Sequence, residues 1–149
     1  MEQANPNPNP NPNPDPNPNP NPNPNPNPNP NPNPRRLILI VDQSVWDIYG
    51  EKMQAWAESV ELDLETVVIP GNEDHKTLAT FAHLLDELKR VDPLRRSEPV
   101  LAVGGGVLTD TVGFACACWR RGVPWCRMPT TLLGQVDASV GIKVASNYP

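Results

Sequence analysis

The sequence predicts an α/β domain in which helices pack on a parallel sheet, standing behind an N-terminal tail that has no means of building a core. Three observations carry that expectation. From Arg35 onward, apolar runs rich in β-branched residues alternate with stretches of helical period. One such run, Val100 to Val103, passes through Gly104, Gly105 and Gly106 into another helical stretch beginning at Val107. A polar segment also follows each apolar run, and on a parallel sheet such segments gather at the carboxyl ends of the strands, where ligands bind.

Asn5 to Pro34 is an unbroken alternation of Asn, once Asp15, with proline, and it holds most of the chain's 21 prolines. Proline removes alternate N–H donors and biases the preceding residue away from helix, while asparagine brings no apolar surface. The expected state of 1–34 is a disordered low-complexity tail, a fluctuating mixture of polyproline II and turns. It reads as a spacer, a recognised repeat, an expansion tract, or a solvated tail with no part in the chemistry. What remains, about 115 residues at 35–149, suits one modest domain.

Leu37-Ile38-Leu39-Ile40-Val41 reads as the first strand and ends at Asp42. Ser44 is placed to cap a helix in which Val45, Ile48, Tyr49, Met53 and Trp56 recur at helical spacing and are expected in the core. Leu64 to Ile69 supplies a second strand, closed by Pro70-Gly71, and the polar loop Asn72 to Thr77 leads into a helix with Leu78, Phe81, Leu84, Leu85 and Leu88 on one face. Pro93 and the polar run Arg95 to Pro99 end that helix before the strand Val100 to Val103. Beyond the glycine helix, Gly122-Val123-Pro124 turns the chain into a last short strand, Trp125 to Met128. Strand and helix thus alternate in the order of a Rossmann-like sheet, which brings Asp42, the Glu73 to Lys76 loop, the three glycines and Pro129-Thr130-Thr131 to one edge.

The net charge of −5 leaves no basic footprint for nucleic acid, although the pairs Arg35-Arg36, Arg95-Arg96 and Arg120-Arg121 suit a phosphorylated small molecule. No apolar run approaches the roughly 20 residues that span a bilayer, and the N-terminus has no signal-peptide pattern, so the expected address is cytoplasmic and free of the membrane. Cys116, Cys118 and Cys126 are too few and too close for a disulfide framework and are expected as small buried packing residues without a metal. His75 and His83 read as ordinary surface or loop residues.

At the glycine turn, the lack of Cβ allows positive φ and lets backbone N–H groups approach an anion, while the helix start adds partial positive charge. A pyrophosphate fits there, although glycines also end strands for purely conformational reasons, and the spacing is not G-x-G-x-x-G. The hydroxyls of Thr130 and Thr131 stand either toward a ligand or as caps of the next turn. Asp137 and Lys143, among small and apolar residues, are expected to be functional or to form a structural ion pair.

From about Leu37 to the chain end, the pattern resembles the sugar phosphate cyclases, the superfamily that contains 3-dehydroquinate synthase. The resemblance rests on GGGVLTDTVGF from Gly104, RRGVPW from Arg120, MPTTLLGQVDASVGIK from Met128, and the E-x-x-K of Glu73 to Lys76. Ile48 to Lys52, Asn72 to Thr77 and Arg95 to Val100 lean toward the branch that cyclises sedoheptulose 7-phosphate, the 2-epi-5-epi-valiolone and desmethyl-4-deoxygadusol synthases. Ile142 points the same way, since dehydroquinate synthases usually carry glycine before the lysine; a 3-dehydroquinate synthase of the shikimate pathway is the alternative.

This resemblance implies NAD as cofactor, with Asp42, Glu73 and Lys76 at its adenosine half, Gly104, Gly105, Gly106 and Val107 at its pyrophosphate, and Asp110, Thr130 and Thr131 completing the site. Asp137 and Lys143 are implied to face cofactor and substrate, and Arg121 to reach the phosphate of a phosphorylated sugar across the interface of a homodimer. The implied reaction oxidises a secondary alcohol transiently, eliminates phosphate, reduces the ketone again and closes a ring by aldol addition, with help from a divalent metal, zinc or cobalt. The family's metal ligands, one Glu and two His, lie in a helical C-terminal domain. Residues 35–149 are therefore expected to be an N-terminal NAD-binding domain truncated before that domain, and inactive alone. A reading of another class is a non-catalytic NAD-binding or interaction fragment carried on the Asn-Pro tether.

Overall fold

The alternation of β-branched runs with amphipathic stretches is realised as four parallel strands. The computed structural model describes residues 35–93, 98–138 and 144–147. The tail at 1–34, Arg95, Arg96, Ser139 and Lys143 lie outside these described residues. The strands are β1, Arg35–Asp42, β2, Leu62–Ile69, β3, Val100–Gly104, and β4, Trp125–Pro129. Helices α1, Gln43–Ser59, α2, Leu78–Val91, and α3, Gly106–Cys118, connect them in turn. The sheet order is β2-β1-β3-β4, every pair parallel, so the chain steps outward from β1 to β2 and then crosses back over to β3 and β4. The direction of winding reverses between β1 and β3, and a doubly wound sheet opens a ligand crevice at the carboxyl ends of such a pair.

Both sheet faces are apolar, which is why the strands read as continuous hydrophobic runs. Ile38, Ile40, Val67, Ile69, Val100 and Ala102 cluster with Leu84 and Leu88 of α2 and with Leu108, Val112, Ala115 and Cys116 of α3. Phe81 and Phe114 join the two helices, ring centroids 4.7 Å apart. Leu39, Val41 and Val103 on the other face meet Val45, Trp46 and Met53 of α1. Past α1 this face keeps an apolar cleft of about 250 Å³, in which Leu101 and Met128 join Trp56 of α1. Among the described residues no helix is long and apolar enough to cross a membrane.

Several expectations about side chains are corrected. In α1, Ile48, Tyr49 and Trp56 are 67%, 48% and 54% exposed, while Gly50 and Ala57 are buried. The helical period was right, but the buried stripe is rotated toward Trp46, whose ring lies against Gly50. Leu78 is 41% exposed because it opens α2, whose cap is Thr77. Only Cys116 of the three cysteines is buried; Cys118 ends α3 and Cys126 lies on the outer strand β4, and both are exposed. The basic pairs are not left for a ligand as a set. Arg36 donates to Glu98 at 3.3 Å and to the Val91 carbonyl, tying β1 to the end of α2, and Arg120 pairs with Asp92 at 2.7 Å, joining the ends of α2 and α3.

Candidate functional site

Asp42 occupies the last position of β1, where the parallel register sets it beside Ile69 of β2 and one step beyond the Val41–Val103 pair with β3. Its Oδ1 accepts from the Ser44 amide at 2.8 Å, so Asp42, not Ser44, caps α1. Its other oxygen lies where a Cβ on Gly71 would sit, and a Cβ on Gly104 would come within 3.1 Å of the Asp42 Cβ and 3.0 Å of Leu108 Cδ2. Two glycines from two strand ends therefore make the space in which this carboxylate stands. Asp42 and Gly71, with Gln43, Ser44, Pro70 and Asn72, line a hollow of about 310 Å³.

The glycine turn works by close approach. Gly105 is extended, φ −73° and ψ 179°, and among the described glycines only Gly122 has positive φ, which corrects the reason expected for this turn. As N-cap of the 13-residue helix α3, Gly105 contributes no side-chain cap, so the first helical amides and the positive end of the helix dipole face the crevice. Buried Thr109 ties the turn down by donating its hydroxyl to the Gly105 and Gly106 carbonyls at 3.2 and 3.1 Å. Across the turn, the Thr130 amide donates to the Gly104 carbonyl at 2.9 Å. Thr131 Oγ1 accepts from Gly134 N at 3.1 Å, so this hydroxyl caps the short π-helical turn Gly134–Ala138, whereas Thr130 stays exposed at the rim.

The third wall is the loop after β2, which contains the single 3-10 turn Glu73–His75. Lys76 Nζ reaches Asp110 Oδ2 of α3 at 3.0 Å, with the two side chains only 16% and 21% exposed, so screening by water is weaker than for a surface pair. Glu73 Oε1 accepts from Asn147 Nδ2 at 3.1 Å, and Asn147 N donates to the Lys76 carbonyl at 3.0 Å. Glu73, Lys76, Thr77 and Asn147 line a second hollow of about 500 Å³.

Of the residues singled out from sequence, Asp42, Glu73, Lys76, Gly104, Gly105, Gly106, Val107, Asp110, Thr130 and Thr131 are carried by the segments that meet at this end of the sheet. Asp137 is exposed in the π-helical turn that follows. Lys143 is outside the described residues. Arg121 is at the far end of α3, about 20 Å from the glycine turn by helical rise, and stands apart from the crevice within this chain. Gly71 and Asn147 were missed as site residues. A glycine directly after Pro70 at a strand end was the available signal for the first; no local signal marks the second, because its partners are distant in sequence.

Chemically, the assembly offers carboxylates to accept hydroxyl hydrogens, backbone amides and an ammonium for anions, and a crevice bounded by main chain. Among the described residues no three His, Cys, Asp or Glu side chains converge to hold a metal ion.

The family model for the 3-dehydroquinate synthase N-terminal domain matches residues 66–149. Demethyl-4-deoxygadusol synthase of Trichormus variabilis is 45% identical over 113 residues, covering 76% of this chain and 27% of that protein. The 2-epi-5-epi-valiolone synthase of Streptomyces hygroscopicus subsp. jinggangensis is 38% identical over 113 residues, again 76% of this chain and 27% of its own length. The solved structure of that enzyme, described with NAD+ and Zn2+ bound, superposes with a TM-score of 0.74 at 37% identity, over 77% of this chain and 32% of the other. A 2-deoxy-scyllo-inosose synthase structure, with carbaglucose-6-phosphate, NAD+ and Co2+, gives 0.65 at 27% identity, over 76% and 31%. The chain thus spans less than a third of the length of each of these relatives. With its doubly wound sheet, its glycine turn and these matches, the chain belongs to the 3-dehydroquinate synthase N-terminal family.

Proposed function

We propose that residues 35–149 are the NAD-binding part of a sugar phosphate cyclase, a phosphate-eliminating carbon–oxygen lyase that converts sedoheptulose 7-phosphate to a cyclitol. The observation that carries the reading is the crevice at the β1/β3 reversal, where an uncapped helix start, a carboxylate and a lysine meet in a family whose related structures hold NAD+. Asp42 and Glu73 accept ribose hydroxyls, the Gly104 to Val107 amides take the pyrophosphate, and Lys76, Asp110, Thr130 and Thr131 close around them. NAD, when bound, supplies transient acceptance and return of a hydride. Asp137 and Lys143 are assigned to the cofactor and substrate side, and Arg121 to a substrate phosphate across a homodimer interface, for which a guanidinium is well suited. Among the described residues no three His, Cys, Asp or Glu side chains converge, and the zinc or cobalt of the related structures is assigned no ligand here.

A 3-dehydroquinate synthase of Nitrosococcus oceani is 51% identical over 83 residues, which keeps dehydroquinate synthesis as the second reading. Two experiments test the proposal. This chain should bind NAD in a saturable titration. A longer version that includes the metal ligands should release phosphate from sedoheptulose 7-phosphate; release only from the dehydroquinate synthase substrate would select the second reading.

A further inference from the structure

Asn147 makes a side-chain and a main-chain connection to the loop that carries Glu73 and Lys76. Its side-chain amide donates to Glu73 Oε1 at 3.1 Å, and its backbone N–H donates to the Lys76 carbonyl at 3.0 Å as part of an isolated parallel bridge with Thr77. Elsewhere the loop is held by Asn72 Oδ1 against His75 Nδ1 and by Lys76 on Asp110, and neither contact involves the Glu73 carboxylate. Its 3-10 turn is three residues long, its N-cap Asn72 makes no capping side-chain bond, and Glu73 is exposed. Without a fixed partner, an exposed glutamate samples many rotamers, and ordering it on ligand binding costs conformational entropy. We propose that Asn147 is a positioning residue for cofactor binding. It holds Glu73 with one carboxylate oxygen engaged and the other open to a ribose hydroxyl, and it ties the segment after Lys143 to the cofactor loop. Asparagine suits the task because it offers donors without charge, whereas an aspartate there would set two carboxylates against each other. The inference rests on the reading that Glu73 and Lys76 contact NAD.

The test is a double-substitution cycle on the full 149-residue chain, read by NAD titration and by amide hydrogen exchange of the Asn72 to Thr77 loop. Asn147→Asp should speed exchange of the loop and weaken NAD binding about tenfold, the size of one charge-assisted hydrogen bond. On a Glu73→Gln background the same substitution should cost less than about twofold, because the glutamine amide now donates to the new carboxylate. Unchanged exchange overturns the proposal, as does faster exchange with unchanged NAD affinity or an equal loss on both backgrounds. A wild-type chain that takes up no NAD overturns the cofactor reading separately; the exchange data, rescued or not by Glu73→Gln, then decide whether the clamp exists.

Discussion

Asp42 has two duties that its substitutions separate. Its carboxylate caps α1, and its side chain stands in the space that the missing Cβ atoms of Gly71 and Gly104 leave. Asp42→Asn keeps an acceptor for the Ser44 amide and should melt near wild type while binding NAD more weakly. Asp42→Ala loses the cap as well, at about 1 kcal/mol, and should melt several degrees lower. If both variants melt alike, the cap contributes nothing. Gly71→Ala should cost about 1–3 kcal/mol by overpacking, since its new methyl displaces the carboxylate. Among single residues, glycines and charged groups at strand ends were legible in the sequence, because strand ends are where the chain punctuates. Which of two neighbours caps a helix was not: Asp42 and Ser44 both suit the role, and only the angle at which β1 enters α1 decides.

At the scale of elements, the four strands were legible from their apolar runs and the three α-helices from the period of their apolar residues, but the orientation of α1 was not. Its apolar residues spread around much of the circumference, so the period alone could not say that Trp46 faces the sheet while Ile48 and Tyr49 do not. Ile48→Gln should therefore shift stability by no more than about 0.5 kcal/mol. Leu84→Ala, in the packed seam between α2 and the sheet, should cost about 2–5 kcal/mol by denaturant unfolding. Helix α3 carries a chemical marker of its own packing. Burial pushes the Cys116 thiol from 9.0 up to about 12. A thiol reagent at neutral pH should thus modify Cys118 and Cys126 in the folded chain and Cys116 only on unfolding. Between pH 9 and about 12 the unfolded chain releases this proton and the folded chain keeps it, so stability should fall as pH rises through that window. Cys116→Ala should flatten that part of the profile; an unchanged slope would show that other groups dominate it.

For the whole molecule, the sheet order sets the site. Reversal of winding between β1 and β3 leaves their carboxyl ends uncovered by a direct connection, and Asp42, the glycine turn and the Lys76–Asp110 pair are all delivered there from separate segments. Local sequence could show each segment ending in polar residues, and the parallel topology made them converge. It could not show contacts between distant segments, such as Asn147 with Glu73, since nothing near either residue marks the pairing. On the proposed function, this convergence is an NAD site. The most direct measurement is calorimetric titration of NAD into the wild-type chain and into Lys76→Ala, which removes the ammonium and leaves the Asp110 carboxylate unpaired beside the pyrophosphate position. Saturable binding of one NAD per chain by the wild type and a loss of about tenfold or more in the variant are expected. No binding by the wild-type chain, or equal affinity in the two, would contradict the proposed function.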